Sequence, residues 1–144
     1  MQNQQRSQSE FVVLMAALMA IVAISIDAVL PALPTIGNYL SSVSDVENQK
    51  LITTIFLGLG VGQLIFGPLS DSFGRKPMVY IGFIVFVIAS IICITTKSFE
   101  MMLFGRVLQG IGLSSPRTMC IAIVRDTYSG DHMAKILSIV VMTF

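Results

Sequence analysis

Apolar residues in this chain come in long runs, separated by short polar breaks. The runs cover 11–35, 51–69, 78–95 and 101–124, and a fifth begins at 133 and continues to 144. A helix needs about 20 apolar residues to cross a hydrocarbon core of about 30 Å, so each of the first four predicts a membrane-spanning helix. None of the runs alternates polar and apolar positions as a membrane strand would. The pattern predicts an all-α polytopic membrane protein with a short tail at 1–10, four spans and the start of a fifth. The fifth run has no polar anchor after it, and four spans with half a helix leave a bundle unclosed. The chain therefore reads as the N-terminal part of a larger transporter.

Composition agrees with the pattern. The sequence is 54% hydrophobic and 12% charged, with a formal net charge of +1. Soluble domains run nearer a quarter charged. A near-neutral chain builds no field for nucleic acid. The first run is too long for the apolar region of a cleaved leader, and Asp27, Pro31 and Pro34 continue it, so it predicts a retained first helix. Basic residues set the orientation. Arg6 lies in the tail, Arg75 and Lys76 follow the second span, and Arg125 and Lys135 follow the fourth. The N-terminus and these two breaks are expected in the cytoplasm. The breaks holding Asp45, Glu47 and Lys50, and Lys97 and Glu100, are expected outside.

The chemistry of the chain is sparse. Cys93 and Cys120 lie inside apolar runs, without a CxxC or Cys/His ligand spacing. There is no phosphate-cradling glycine loop, nucleophile elbow or catalytic carboxylate pair, so the sequence predicts neither an enzyme nor a cofactor or metal site. His132 falls in a polar break and reads as solvated.

Three ionisable residues interrupt the spans: Asp27 in the first, and Arg106 and Arg117 in the fourth. Each costs at least about 2.5–3.5 kcal/mol to insert, and such residues face water or one another. A rise of 1.5 Å per residue puts Asp27 about 24 Å above the cytoplasmic start of its helix and Arg106 about 8 Å below the outer start of its own. Their depths are similar, whereas Arg117 lies about 16 Å deeper, near the cytoplasmic end. Gln109, Gly110 and Leu113 share the face of the arginines, which predicts one polar, small face lining an interior cavity. Pro31 and Pro34 would open the first helix just beyond Asp27. A carboxylate in a partly desolvated cavity near an arginine is the minimum apparatus for proton coupling. The alternative is a static kink with Asp27 satisfied by Arg106. In the second span Gly58 and Gly62 fall on one face and admit close approach of another helix.

The break Gly67-Pro68-Leu69-Ser70-Asp71-Ser72-Phe73-Gly74-Arg75-Lys76-Pro77 reads as a tight cytoplasmic loop carrying an acid and two bases. In position and side it resembles the signature between helices two and three of the major facilitator superfamily. Arg106-Val-Leu-Gln109-Gly110-Ile-Gly112 resembles the fourth-helix motif of that superfamily's drug:proton antiporters. The segments 26–34 and 122–130 resemble its bicyclomycin/chloramphenicol-resistance (Bcr/CflA) branch. The resemblance covers nearly all of the chain after Glu10.

That resemblance implies a twelve-helix fold in two halves, with the C-terminal half missing here. It implies a proton-driven exporter of small amphipathic drugs, working by alternating access in the bacterial cytoplasmic (inner) membrane. Its partners would be the lipid bilayer, protons and substrate. Asp71, Arg75 and Asp126 would form a charge cluster that latches the outward-facing state, with Gly67, Gly74 and Lys76 in the same loop. The i, i+4 spacing makes an Asp71–Arg75 contact plausible on geometry alone. Asp27 would bind protons or cationic substrate, and Arg106, with Gln109 and Gly110, would influence proton movement. Ser72-Phe73 departs from the family pattern, in which a base often follows the acid. The alternative function is a non-transporting membrane fragment or four-helix scaffold.

Overall fold

The computed structural model describes residues 2–39 and 45–142, with side chains described for 9–39 and 49–142. Among these residues there are only helices and the turns that join them. The order is α1 (Gln2–Asp27), a 3-10 turn (Leu30–Ala32), α2 (Leu33–Tyr39), α3 (Asp45–Phe73), α4 (Arg75–Thr95), α5 (Phe99–Thr127) and α6 (Gly130–Val141). Four segments are long and apolar enough to cross a membrane: Ser9–Tyr39, Gln49–Phe73, Arg75–Thr95 and Phe99–Thr127. The protein is an integral, multi-pass membrane protein.

The helices run past the apolar runs at several ends, because polar residues continue a helix as well as apolar ones once a turn is formed. α1 begins at Gln2, well ahead of Phe11, and α3 continues through the polar break to Phe73. The tight loop expected over 67–77 is therefore one residue long: Gly74 alone separates α3 from α4. The first apolar run, by contrast, divides. α1 stops at Asp27, and the chain passes through the turn containing Pro31 into α2, where Pro34 lies in the first turn. Each proline lacks the N–H that would continue the ladder.

α5 is the hub. It packs along α3 and α4 and also touches α1 and α6. Its sequence explains this, since Gly105, Gly110, Gly112, Ser114 and Ser115 are all buried and give neighbouring backbones room to approach. At the α3 crossing, a methyl group on Gly110 would overlap the Ile55 carbonyl and lie 2.9 Å from Gly58 Cα. Gly62 meets Ser114 and Ile111 in the same way, so the paired glycines expected to admit a neighbour do face α5. On the α4 side, Pro116 leaves the Gly112 carbonyl without its amide donor. That oxygen faces Gly82, where an added methyl would lie 2.8 Å from it. The Ser115 hydroxyl donates to the Met78 carbonyl of α4 at 2.6 Å.

Apolar side chains fill the seams around α5 in successive groups. Leu51, Cys93 and Met102 pack with Leu33 and Ile36 of α2. Val22, Ile26, Ile55, Leu59 and Leu113 join α1, α3 and α5. Met15, Met19, Cys120, Val124, Ile136 and Val140 join α1, α5 and α6. The outer faces of α3 and α4 leave large apolar residues uncovered, Leu64 at 78% and Ile94 at 83% exposure, as lipid contact requires.

Candidate functional site

Two polar groupings stand out. The first lies where α3, α4 and α5 meet at the end expected to be cytoplasmic. Gly74 adopts φ 91°, ψ 161°, a conformation open to glycine and strained for other residues. Its N–H donates to the Ser70 carbonyl at 3.0 Å, closing α3, and the chain turns directly into α4. Arg75 is thereby fixed as the first residue of α4. Its NH1 lies 2.9 Å from Asp71 Oδ1 and its Nε 3.0 Å from Asp126 Oδ2. NH1 also donates to the hydroxyl of Ser70, which is buried and itself donates to the Gly67 carbonyl at 2.8 Å. Lys76 is exposed beside the cluster.

The electrostatics of this cluster are unusual. A cation at a helix N-terminus and carboxylates at C-termini each oppose the macrodipole. Arg75 opens α4, while Asp71 and Asp126 lie in the last turns of α3 and α5. Each charge is unfavourably placed on its own helix, and the three compensate one another.

The second grouping is a relay inside the bundle. Arg106 is 8% exposed, and its NH1 donates to Gln109 Oε1 at 2.9 Å. Gln109 Nε2 donates to Ser90 Oγ on α4 at 2.8 Å. The Ser90 hydroxyl donates in turn to the Phe86 carbonyl at 2.8 Å. Arg106 Nε–H has no hydrogen-bond partner among the described residues.

The expected sites separate into those brought together and those not. Asp71, Arg75 and Asp126 are joined, with Gly67 and Gly74 supporting them and Lys76 alongside. Arg106 and Gln109 are joined. Gly110 packs against α3, and Leu113 is sealed in the seam with Val22 and Ile55, so these two lie in helix interfaces instead of lining a cavity. Asp27 is the last residue of α1, exposed, and forms no ion pair with Arg106. Its neighbour Ile26 is buried in the seam with Ile55 and Leu113, whereas Asp27 itself is exposed.

Sequence reasoning assigned no role to Ser70 or Ser90. Ser90 carried a usable signal, a hydroxyl within an apolar span. Ser70 did not, since serine is ordinary in a polar break.

A helical membrane bundle, wound round a small-residue helix and clamped at one end by a carboxylate–arginine–carboxylate cluster, defines a polytopic protein of the transporter-like kind. Residues 15–144 match the Major Facilitator Superfamily, and the chain belongs to that family. It is 31% identical over 142 residues to a bicyclomycin resistance protein homolog of Haemophilus influenzae, covering 99% of this chain and 35% of that protein. It is 35% identical over 126 residues to a chloramphenicol resistance protein of Pseudomonas aeruginosa, covering 88% of this chain and 30% of that one. Multidrug resistance protein MdtL of Klebsiella pneumoniae is 32% identical over 131 residues, or 91% of this chain and 33% of the relative. The chain thus spans about a third of the length of the relatives it matches.

Proposed function

We propose that this chain is the N-terminal portion of a proton-coupled exporter of small amphipathic drugs. It would sit in the bacterial cytoplasmic membrane with its N-terminus inside and work by alternating access, the remaining helices supplying the second half. The observation that carries this reading is the Asp71–Arg75–Asp126 cluster, which ties three spans at a one-residue joint. Such a cluster acts as a latch: it holds one arrangement of the helices and weakens when a carboxylate takes a proton. The names of the relatives, resistance to bicyclomycin, chloramphenicol and multiple drugs, support drug-like cargo.

Asp27 is the proton-binding candidate, exposed at a helix break where the backbone is already open. Arg106, Gln109 and Gly110 are the coupling candidates, Arg106 carrying the charge and Gly110 holding α5 against α3. Transport needs no bound cofactor in this reading.

One observation favours the competing reading, a non-transporting helical scaffold: Gly110 and Leu113 are packed between helices. The deciding experiment uses inverted membrane vesicles containing the full-length polypeptide that carries this segment. A pH gradient is imposed and movement of a cationic dye is followed. Asp27→Asn should abolish gradient-driven movement and leave membrane insertion intact. Undiminished movement would overturn the coupling role of Asp27, and no movement with the unaltered protein would favour the scaffold.

A further inference from the structure

We infer that Arg106 is the donor side of a ligand subsite that takes an oxygen acceptor: a carbonyl, nitro or carboxylate group of a small amphipathic molecule. The inference deepens the export reading, on which it rests for the ligand being cargo.

Hydrogen-bond direction carries the case. A guanidinium donates and never accepts, so Gln109 must present its carbonyl oxygen to Arg106. The Gln109 NH2 group then faces Ser90, whose single hydroxyl hydrogen is already committed to the Phe86 carbonyl. The relay is pinned from both ends and has one polarity. The Gln109 oxygen serves Arg106 NH1, and the Ser90 oxygen serves Gln109. The Arg106 Nε–H, buried and without a partner among the described residues, remains to be satisfied.

Charge points the same way. Arg106 has no carboxylate within ion-pair distance among the described residues, and Asp27, its expected counterion, lies exposed at the end of α1. A buried, unneutralised guanidinium is costly, and an acceptor supplied by a ligand relieves that cost. A ligand ammonium would meet like charge at the guanidinium. The subsite therefore selects for electronegative oxygen and against cations, with Ser90 as a positioning residue that fixes the amide of Gln109.

The test is a side-chain NMR titration of the full-length polypeptide that carries this segment, in lipid nanodiscs and labelled with 15N-arginine. The probes are benzoate, benzamide and benzylammonium, similar in size and different in the group they offer. The Arg106 Nε–H signal is assigned by its loss in Arg106→Lys. Benzoate and benzamide should move that signal, and benzoate should bind about tenfold more tightly than benzylammonium, as one charge-assisted hydrogen bond allows. Equal binding of benzylammonium, or a signal that no probe moves, would overturn the inference. Two further variants guard against misfolding of the arginine mutant. Ser90→Ala should shrink the preference for benzoate and Ser90→Thr should keep it; equal behaviour of the two would also overturn it. The export reading is judged separately, because dye movement in vesicles can fail while this preference stands, and the preference can fail while dye still moves.

Discussion

Arg75 and Asp126 are joined across the bundle, Nε to Oδ2 at 3.0 Å, from the first turn of α4 to the last turn of α5. The same guanidinium holds Asp71 of α3 at 2.9 Å. Both carboxylates are mostly exposed, at 69% for Asp71 and 56% for Asp126, so screening keeps their contribution to stability small. Arg75→Gln is expected to lower stability by about 1 kcal/mol or less in a detergent melt. If the cluster latches a conformation, the same change should lower export about tenfold, a typical coupling between two states. Exchanging the charges, Arg75→Asp with Asp126→Arg, should restore part of the lost rate. A rate that follows stability alone would argue against a latch.

The crossing of α3 and α5 gives a second prediction. Gly110→Ala pushes a methyl group into the Ile55 carbonyl and should cost about 1–3 kcal/mol through overpacking. Gly60→Ala and Gly67→Ala meet nothing within 4 Å and should be neutral or slightly stabilising, since alanine is the better helix former. Thermal unfolding of the three variants side by side checks the contrast.

Gly74 and Gly130 both have positive φ, at 91° and 62°, but they should not respond alike. The conformation of Gly74 is nearly exclusive to glycine, so Gly74→Ala should cost on the order of 1–3 kcal/mol and should weaken the Arg75–Asp126 coupling in a double-mutant cycle. Gly130 lies in the left-handed region, where asparagine is tolerated, and an added methyl would meet nothing within 4 Å there. Gly130→Asn should change stability by only a few tenths of a kcal/mol.

The two thiols report on the seams. Cys93 and Cys120 are free and buried, and Cys120 Sγ lies 3.4 Å from the Met15 carbonyl of α1. Neither should react with a membrane-permeant maleimide in the folded protein, and both should react after denaturation in detergent. A cysteine placed at Phe73, which is 68% exposed beside the polar joint, should be modified without denaturation. Rapid labelling of Cys120 in the native state would mean that α1 does not seal against α5.

The spans were legible in the sequence because long, predominantly apolar stretches leave a membrane helix few alternatives. The contact of Asp71 with Arg75 was legible from helical spacing, although the segment was expected as a loop. What that pattern could not display was the single-residue joint, because polar composition says where water is and not where a helix ends. The pairing of Asp27 with Arg106 was inferred from equal depth alone. Depth fixes one coordinate of a side chain; its direction is a second, and Asp27 is exposed at the end of α1 while Arg106 is buried. The hydroxyl of Ser90 stood out within its apolar span, but its partner did not: that depends on which residues of α4 face α5, a rotation that the nearly uniform apolar character of α4 leaves unmarked.

A joint of one glycine has no slack. If the segment from Asp45 to Phe73 swivels, the next one must swivel with it, as two arms of a crank share a pin. Motion in this protein would then be passed along the chain itself, and lengthening the pin by a few flexible residues would let one arm turn while the other stood still.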